Sequence, residues 1–162
     1  MKTVYTLYCQ SPLGIVEIKG TTDAVISTFF VKEGGASSQI IPDVLLQCQK
    51  ELEEYFIGAR KEFNVALAPA GTEFQKQVWD ELLKIGYGNT TSYMAIAKKM
   101  NNPGAVRAVG LANGKNPIGI IIPCHRVIGG DGSLTGYAGG LWRKKWLLEH
   151  EGNTSGNVRT LF

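Results

Sequence analysis

The chain is poor in the residues that build disulfide scaffolds and metal centres. Among 162 residues there are 3 cysteines, Cys9, Cys48 and Cys124, and 2 histidines, His125 and His150. The cysteines are odd in number and widely spaced, and no Cys-x-x-Cys pair occurs. A disulfide framework is therefore not expected, and neither is a structural zinc site, which needs four Cys or His ligands at close spacing. No apolar run approaches the ~20 residues of a spanning helix, and "MKTVYTLYCQ" lacks the apolar core of a signal peptide. A cytoplasmic protein without a membrane partner is expected. Internal repeats and low-complexity segments are absent as well. What remains is ordinary for a globular protein with a core: 44% hydrophobic and 19% charged residues, in a length that fits one large domain or two small ones.

The net charge of +3 conceals an asymmetry. Up to Gly71 there are six Lys/Arg against eight Asp/Glu, whereas Thr72 to Gly152 holds ten against six. The basic excess lies in the half that contains Cys124 and His125. A basic half can meet nucleic acid, and on charge alone a solvated surface explains it equally well.

Periodicity divides the chain further. "TVYTLYC", "GIVEIKG" and "AVISTFF" are rich in β-branched and aromatic residues and separated by turn residues, which predicts strands, with a hairpin turn at "SPLG". "IPDVLLQCQKELEEYFIG" predicts a helix with Val44, Leu45, Cys48, Leu52, Tyr55 and Phe56 on one face and Gly58 as its stop. "KEFNVALAPAG" reads as a strand running into a linker. Thr72 and Gln75 form a capping box for a helix with Phe74, Val78, Trp79 and Leu82 on its apolar face. A short helix from about Ser92 follows, then a second from Asn102-Pro103 to about Asn113, with Asn102 as N-cap. "PIGIII" reads as a buried strand, "DGSLTGYAGG" as a loop and "LWRKKWLLEHEG" as a helix. The expected organisation is a sheet-and-helix domain over 1–70, a mainly helical domain over 71–152 and a tail over 153–162 with little to bury.

Two features carry chemistry. The pair of short helices around "NNPG" fits a helix-turn-helix, and its second helix is made of small residues, Gly104, Ala105, Ala108, Gly110 and Ala112, around Arg107. Glycine inside a helix costs about 1 kcal/mol relative to alanine. A thin face suits a narrow groove, with Arg107 able to enter the base stack; tight packing on a neighbouring helix explains the composition equally well. The other feature is "IPCHRV". A lone cysteine is usually an inert small hydrophobe. Pro123 cannot extend a ladder, and a chain turning at Cys124 would aim backbone N–H groups at the sulfur and favour the thiolate. Neighbours on a strand face opposite ways, so His125 reaches Cys124 only through a tight turn or a water. Glu151 and Asp131 are candidates to orient its imidazole.

"IPCHRVIGGDGSLTGYAGGLWRKKWLLEHEG", preceded in order by "GTEFQKQVW", "SYMAIA" and "RAVGLANGKNP", resembles the active-site region of the O6-alkylguanine-DNA alkyltransferases, also called methylated-DNA–protein-cysteine methyltransferases. The strong resemblance covers Thr72 to Gly152; the first half is similar more loosely. It implies the bacterial constitutive type: an α/β (α+β) protein with a ribonuclease H-like N-terminal domain and a winged-helix-like helix-turn-helix domain. It implies Cys124 as alkyl acceptor, His125 as its base through a water, Glu151 as the group that orients the imidazole, and Asn116 as holder of the turn. Tyr93 would protonate the leaving guanine and Arg107 would fill the gap left by the flipped nucleotide. Ala105, Ala108, Gly110 and Ala112 would face the minor groove. Tyr137 and Ala138 would line the base pocket, with the backbone of Cys124 and Val127 reading the base edge. Arg126 would be structural or phosphate-facing.

These roles imply single-turnover repair of O6-methylguanine, with O4-methylthymine as a secondary substrate, in duplex DNA by a monomer that needs no cofactor and no metal. A non-reactive sensor or regulator of alkylated DNA is the alternative, opposed by the presence of Cys124. A Cys-His hydrolase would need an oxyanion site that the sequence does not show.

Overall fold

Period-two alternation organises the start of the computed structural model, which describes residues 2–155. Strands β1 (Tyr5–Ser11), β2 (Gly14–Gly20) and β3 (Val25–Val31) form an antiparallel meander. The register sets Leu7 opposite Ile18 and Cys9 opposite Val16, and all four are buried. "SPLG" is the hairpin turn: the Ser11 hydroxyl donates to the Gly14 carbonyl at 2.7 Å, and Gly14 sits at φ 116°, open to glycine alone.

Helix α1 (Asp43–Phe56) buries Leu45, Cys48, Leu52 and Tyr55. Each such aliphatic side chain contributes roughly 1.5–3 kcal/mol when removed from water. The helix approaches closely at Gly20, where a Cβ would stand 2.6 Å from the Ala24 carbonyl and 2.8 Å from a Leu45 methyl. Gly58, at φ 80°, ends α1 as expected: its N–H reaches the Tyr55 carbonyl and that of Ala59 reaches Glu54, a Schellman closure.

The strand expected within "KEFNVALAPAG" does not form. A single parallel bridge joins Leu67 to Val25. The backbone N–H groups of Asn64 and Val65 are instead taken at 2.8 and 3.1 Å by the carboxylate of Glu51, a buried charge on the inner face of α1.

The chain divides into two compact units, Met1–Ala70 and Gly71–Phe162. The second opens with α2 (Glu73–Leu83), capped by the reciprocal Thr72–Gln75 box, with Val78, Trp79 and Leu82 buried. It continues through β4 (Thr91–Ser92), α3 (Tyr93–Lys99), a 3₁₀ turn (Pro103–Ala105), α4 (Val106–Gly114), a second 3₁₀ turn (Cys124–Arg126), β5 (Val127–Ile128) and α5 (Leu141–Ser155). The Trp79 indole donates to the Ala112 carbonyl at 2.9 Å and ties α2 to α4. Helix α5 continues past the expected boundary at residue 152; residues 156–162, the rest of the expected tail with Leu161 and Phe162, lie outside the described residues.

Two local expectations fail for identifiable reasons. Asn102 makes no side-chain cap. Its N–H is committed backwards to Ala97, and the N–H of Asn101, at φ 57°, goes to Lys98, so the pair finishes α3, while the Asn102 carbonyl accepts the Ala105 N–H and opens the 3₁₀ turn that leads into α4. "PIGIII" is not a strand. Ile118, Ile120, Ile121 and Ile122 are all buried, but the backbone coils, with Ile120 at φ 70° and the N–H of Ile122 on the Ile118 carbonyl. Asn116 holds the coil from inside: its Oδ1 accepts the Ile118 N–H at 2.9 Å and its Nδ2 donates to the Ile122 carbonyl at 2.8 Å. The architecture is mixed α/β, with a small N-terminal sheet and a mainly helical second unit.

Candidate active site

The Ile118–Ile122 coil delivers Pro123 into the 3₁₀ turn that carries Cys124, His125 and Arg126, all buried. Strand β5 leaves that turn and pairs in parallel with β4, Thr91 opposite Val127 and Ser92 opposite Ile128. This two-residue ladder sets the start of α3, and so Tyr93, beside the segment that follows the thiol. It has no periodicity signal because it is so short.

At the turn, His125 and Arg126 converge on one carboxylate. The Nε2 of His125 lies 2.7 Å from Glu151 Oε2. Arg126 donates from Nε to Glu151 Oε1 at 2.8 Å and from Nη2 to Oε2 at 3.0 Å. Its Nη1 reaches the Ile85 carbonyl at 2.6 Å. Arg126 is thus a buried structural arginine and does not face a phosphate. Asp131 is exposed, its carboxylate holding the Ser133 N–H, so of the two candidates Glu151 orients the imidazole.

Electrostatics fix the protonation states. Burial pushes Glu151 up, but its electrostatic attraction to and hydrogen bond with His125, and those with the Arg126 guanidinium, outweigh it and hold the carboxyl far below the carboxylate range. Burial lowers His125, and the Glu151 carboxylate only partly offsets this. The imidazole is neutral, with Nε2–H donating to Glu151. Nδ1 is then a buried lone pair with no hydrogen-bond partner among the described residues.

Burial pushes the Cys124 thiol up; the Asn116 side chain, the Lys144 charge and the N–H groups of Cys124 and His125 pull it back. The turn therefore favours the thiolate as expected, but burial outweighs it and the resting sulfur is a thiol. Cys9 and Cys48, pushed up to about 11 and about 12, have no such groups around them. Among the described residues no three His, Cys, Asp or Glu side chains gather as a metal ion would require.

The thin helix is narrower in its exposed face than its composition suggests. Arg107, Ala108 and Leu111 face outward on α4, and Ala105 is half-buried. Ala112 is 3% exposed and belongs with Val109 and Asn113 on the inner face, three and four residues from Val109. Gly110 turns toward Tyr93: a Cβ there would lie 3.8 Å from the ring. Ala112 is a correction to the expected groove face; Gly110, like Ala105, is half-buried.

In the loop between β5 and α5, Ala138 is exposed; Val127, in β5, is buried, its carbonyl accepting from Lys144 Nζ at 2.7 Å. Burial, with the Cys124 charge adding, raises the Tyr137 phenol well above its ordinary value. Asn113 Nδ2 stands 3.5 Å from the Cys124 carbonyl.

The sequence reading missed Lys144 and Thr135. Lys144 is fully buried and donates to the carbonyls of Val127 and Thr135 and to the Thr135 hydroxyl. Thr135 Oγ1 lies 2.5 Å from the Tyr93 hydroxyl. A signal for Lys144 existed: it stands on one helical stripe with Leu147, Leu148 and Glu151, at steps of three, four and seven, and all four are buried.

The chain is similar in sequence and fold to known proteins. Residues 73–153 match the family described as "6-O-methylguanine DNA methyltransferase, DNA binding domain". The methylated-DNA–protein-cysteine methyltransferase of Methanosarcina acetivorans is 46% identical over 93% of this chain and 99% of its own length. That of Mycobacterium leprae is 43% identical over 96% and 99%. The crystal structure of Mycobacterium tuberculosis O6-methylguanine methyltransferase superposes with a TM-score of 0.84 at 43% identity over 94% of each chain. A structure of Mycobacterium tuberculosis OGT in complex with DNA gives 0.83 at 44% identity, covering 91% of this chain and 92% of that one. The chain belongs to the methylated-DNA–protein-cysteine methyltransferase family.

Proposed function

We propose that this protein repairs DNA by moving the methyl group of O6-methylguanine, in duplex DNA, onto its own Cys124, once per molecule. The observation that carries the reading is the state of His125: neutral, fixed through Nε2 by Glu151, with a buried Nδ1 lone pair that has no hydrogen-bond partner among the described residues. A thiol raised by burial needs such a base. His125 takes the Cys124 proton through a water, and Glu151 stabilises the imidazolium. The sulfur attacks the methyl carbon in line; the S–C bond forms as the C–O6 bond breaks, and the electron pair stays on the base. Tyr93 supplies the proton that makes guanine a better leaving group. The thioether product has no group nearby to remove the methyl, so one turnover is expected.

The lesion must leave the stack, at a cost of a few kcal/mol. Arg107, Ala108 and Leu111 on the exposed face of α4, with Ala105 at its edge, are the surface proposed to enter the minor groove, Arg107 filling the vacated space. Tyr137, Ala138 and the Val127 backbone line the base pocket. One lone pair of the Val127 carbonyl is committed to Lys144 and the other remains for the base. Asn116 keeps the acceptor turn in shape. In this reading 1–70 is a ribonuclease H-like domain and 71–152 a winged-helix-like, helix-turn-helix DNA-binding and acceptor domain, in a cytoplasmic monomer. The pairing of α3 and α4 through a short connection supports the second assignment.

The experiment follows the label. A duplex bearing isotopically labelled O6-methylguanine should transfer the label to the wild-type chain and not to Cys124→Ala. Label on the Cys124→Ala chain would overturn the proposal. Lesion-selective binding with no transfer by the wild type would favour the sensor reading.

A further inference from the structure

We propose that the Thr135 hydroxyl is a positioning residue for the methyl transfer: it donates to Tyr93 Oη, turns the tyrosine's own proton toward the base, and takes up the phenolate charge as that proton leaves. The inference rests on the reading of Tyr93 as the acid.

The contact between the two oxygens admits either as donor; the chemistry of the step selects Thr135. Lys144 is fully buried and held by the Val127 and Thr135 carbonyls at 2.7 and 3.1 Å. Its third contact, at 3.3 Å, is to Thr135 Oγ1. An ammonium has donors only, so it occupies a lone pair of that oxygen. Burial lowers Lys144 to about 8, with the Cys124 charge opposing, so it carries its proton at neutral pH. The Thr135 hydroxyl has one proton of its own, and its partner at 2.5 Å is Tyr93 Oη. With Thr135 donating, the Tyr93 proton is free for the pocket. With Tyr93 donating instead, that proton would be tied up when guanine needs it. In the reacting step the O–H bond of Tyr93 breaks, its proton moves to the guanine, and the electron pair left on Oη is stabilised by the Thr135 O–H, itself polarised by Lys144. No other reactant is required.

Thr135→Val keeps the side-chain shape and the carbonyl that Lys144 holds, and removes only the hydroxyl. Single-turnover transfer to Cys124 should slow at least about tenfold, with unchanged affinity for the lesion duplex, and Thr135→Ser should recover most of the rate. The 8-aza analogue of the lesion, a more acidic leaving group, should lose much less rate in Thr135→Val, because it depends less on the acid. A general disturbance of the loop would slow both substrates alike. Thr135→Val at the parent rate, or an equal loss on both substrates, would overturn the inference. Tyr93→Phe, run in parallel, separates the readings. If it transfers at full rate, the acid role fails and this inference with it. If it is slow while Thr135→Val is not, only the Thr135 role fails.

Discussion

Cys9, Cys48 and Cys124 are all buried, so burial does not single out Cys124, the proposed nucleophile. What distinguishes Cys124 is a set of groups that favour its anion, Asn116, Lys144 and two backbone N–H groups, with a neutral imidazole next in the chain. The most exacting residue is Glu151, which serves His125 and Arg126 together. Glu151→Gln removes the charge and leaves a buried guanidinium without its counterion. A loss of about 3–5 kcal/mol of stability is expected, read from urea unfolding, with slower methyl transfer in whatever fraction stays folded. Acid should act through the same pair. The folded value of His125 is lowered, so below the ordinary histidine value of about 6.5 the unfolded chain takes a proton that the folded chain refuses. Stability is full above that pH and falls beneath it, by at most about 1.4 kcal/mol per pH unit. The fall from His125 levels off once its folded value is passed. Glu151, depressed in the fold, adds a second loss that begins near the ordinary carboxylate value of about 4.3. Unfolding curves between pH 7 and pH 3 would check both, and His125→Gln should lose the upper part of the slope.

Helix α4 combines two jobs that its composition blurs. Gly110 faces the Tyr93 ring at van der Waals distance and has room for one methyl group. Gly110→Ala should therefore stabilise the chain by about 0.5–1 kcal/mol through helix propensity, measurable as a higher urea midpoint. Had the glycine been kept for the groove, the same change would weaken DNA binding; here binding should hold. The opposite is expected of exposed Arg107. Arg107→Ala should leave stability within about 0.5 kcal/mol and weaken binding to duplexes with and without the lesion. Methyl transfer should slow more than binding weakens, because the flipped state loses its support. Titrations at two salt concentrations would read the binding, and single-turnover rates the transfer. Equal losses in both would count against insertion of Arg107 into the stack.

For the whole molecule, the sequence is most readable where one interaction decides local structure. The alternation of Leu7, Cys9, Val16 and Ile18, the Thr72–Gln75 box and the Gly58 stop all depend on residues a few positions apart. Reading fails where a distant group overrides the local preference. Consecutive buried isoleucines look like a strand until Asn116 ties the coil, and Glu51 removes the donors that a strand near Val65 would use. Lys144 hides as a surface charge because the Val127 and Thr135 carbonyls satisfy it. The proposed acceptor Cys124, His125 and Glu151 were readable through the resemblance of "IPCHRV" and its companions, whereas the Tyr93–Thr135–Lys144 chain needed coordinates. The central claim, one methyl per molecule on one sulfur, is tested most directly by mass spectrometry of a titration with an O6-methylguanine duplex. The peptide holding Cys124 should gain the mass of one methyl group, with repaired lesion never exceeding protein supplied. Repair beyond that ratio, or a methyl found on Cys9, Cys48 or no cysteine at all, would contradict it.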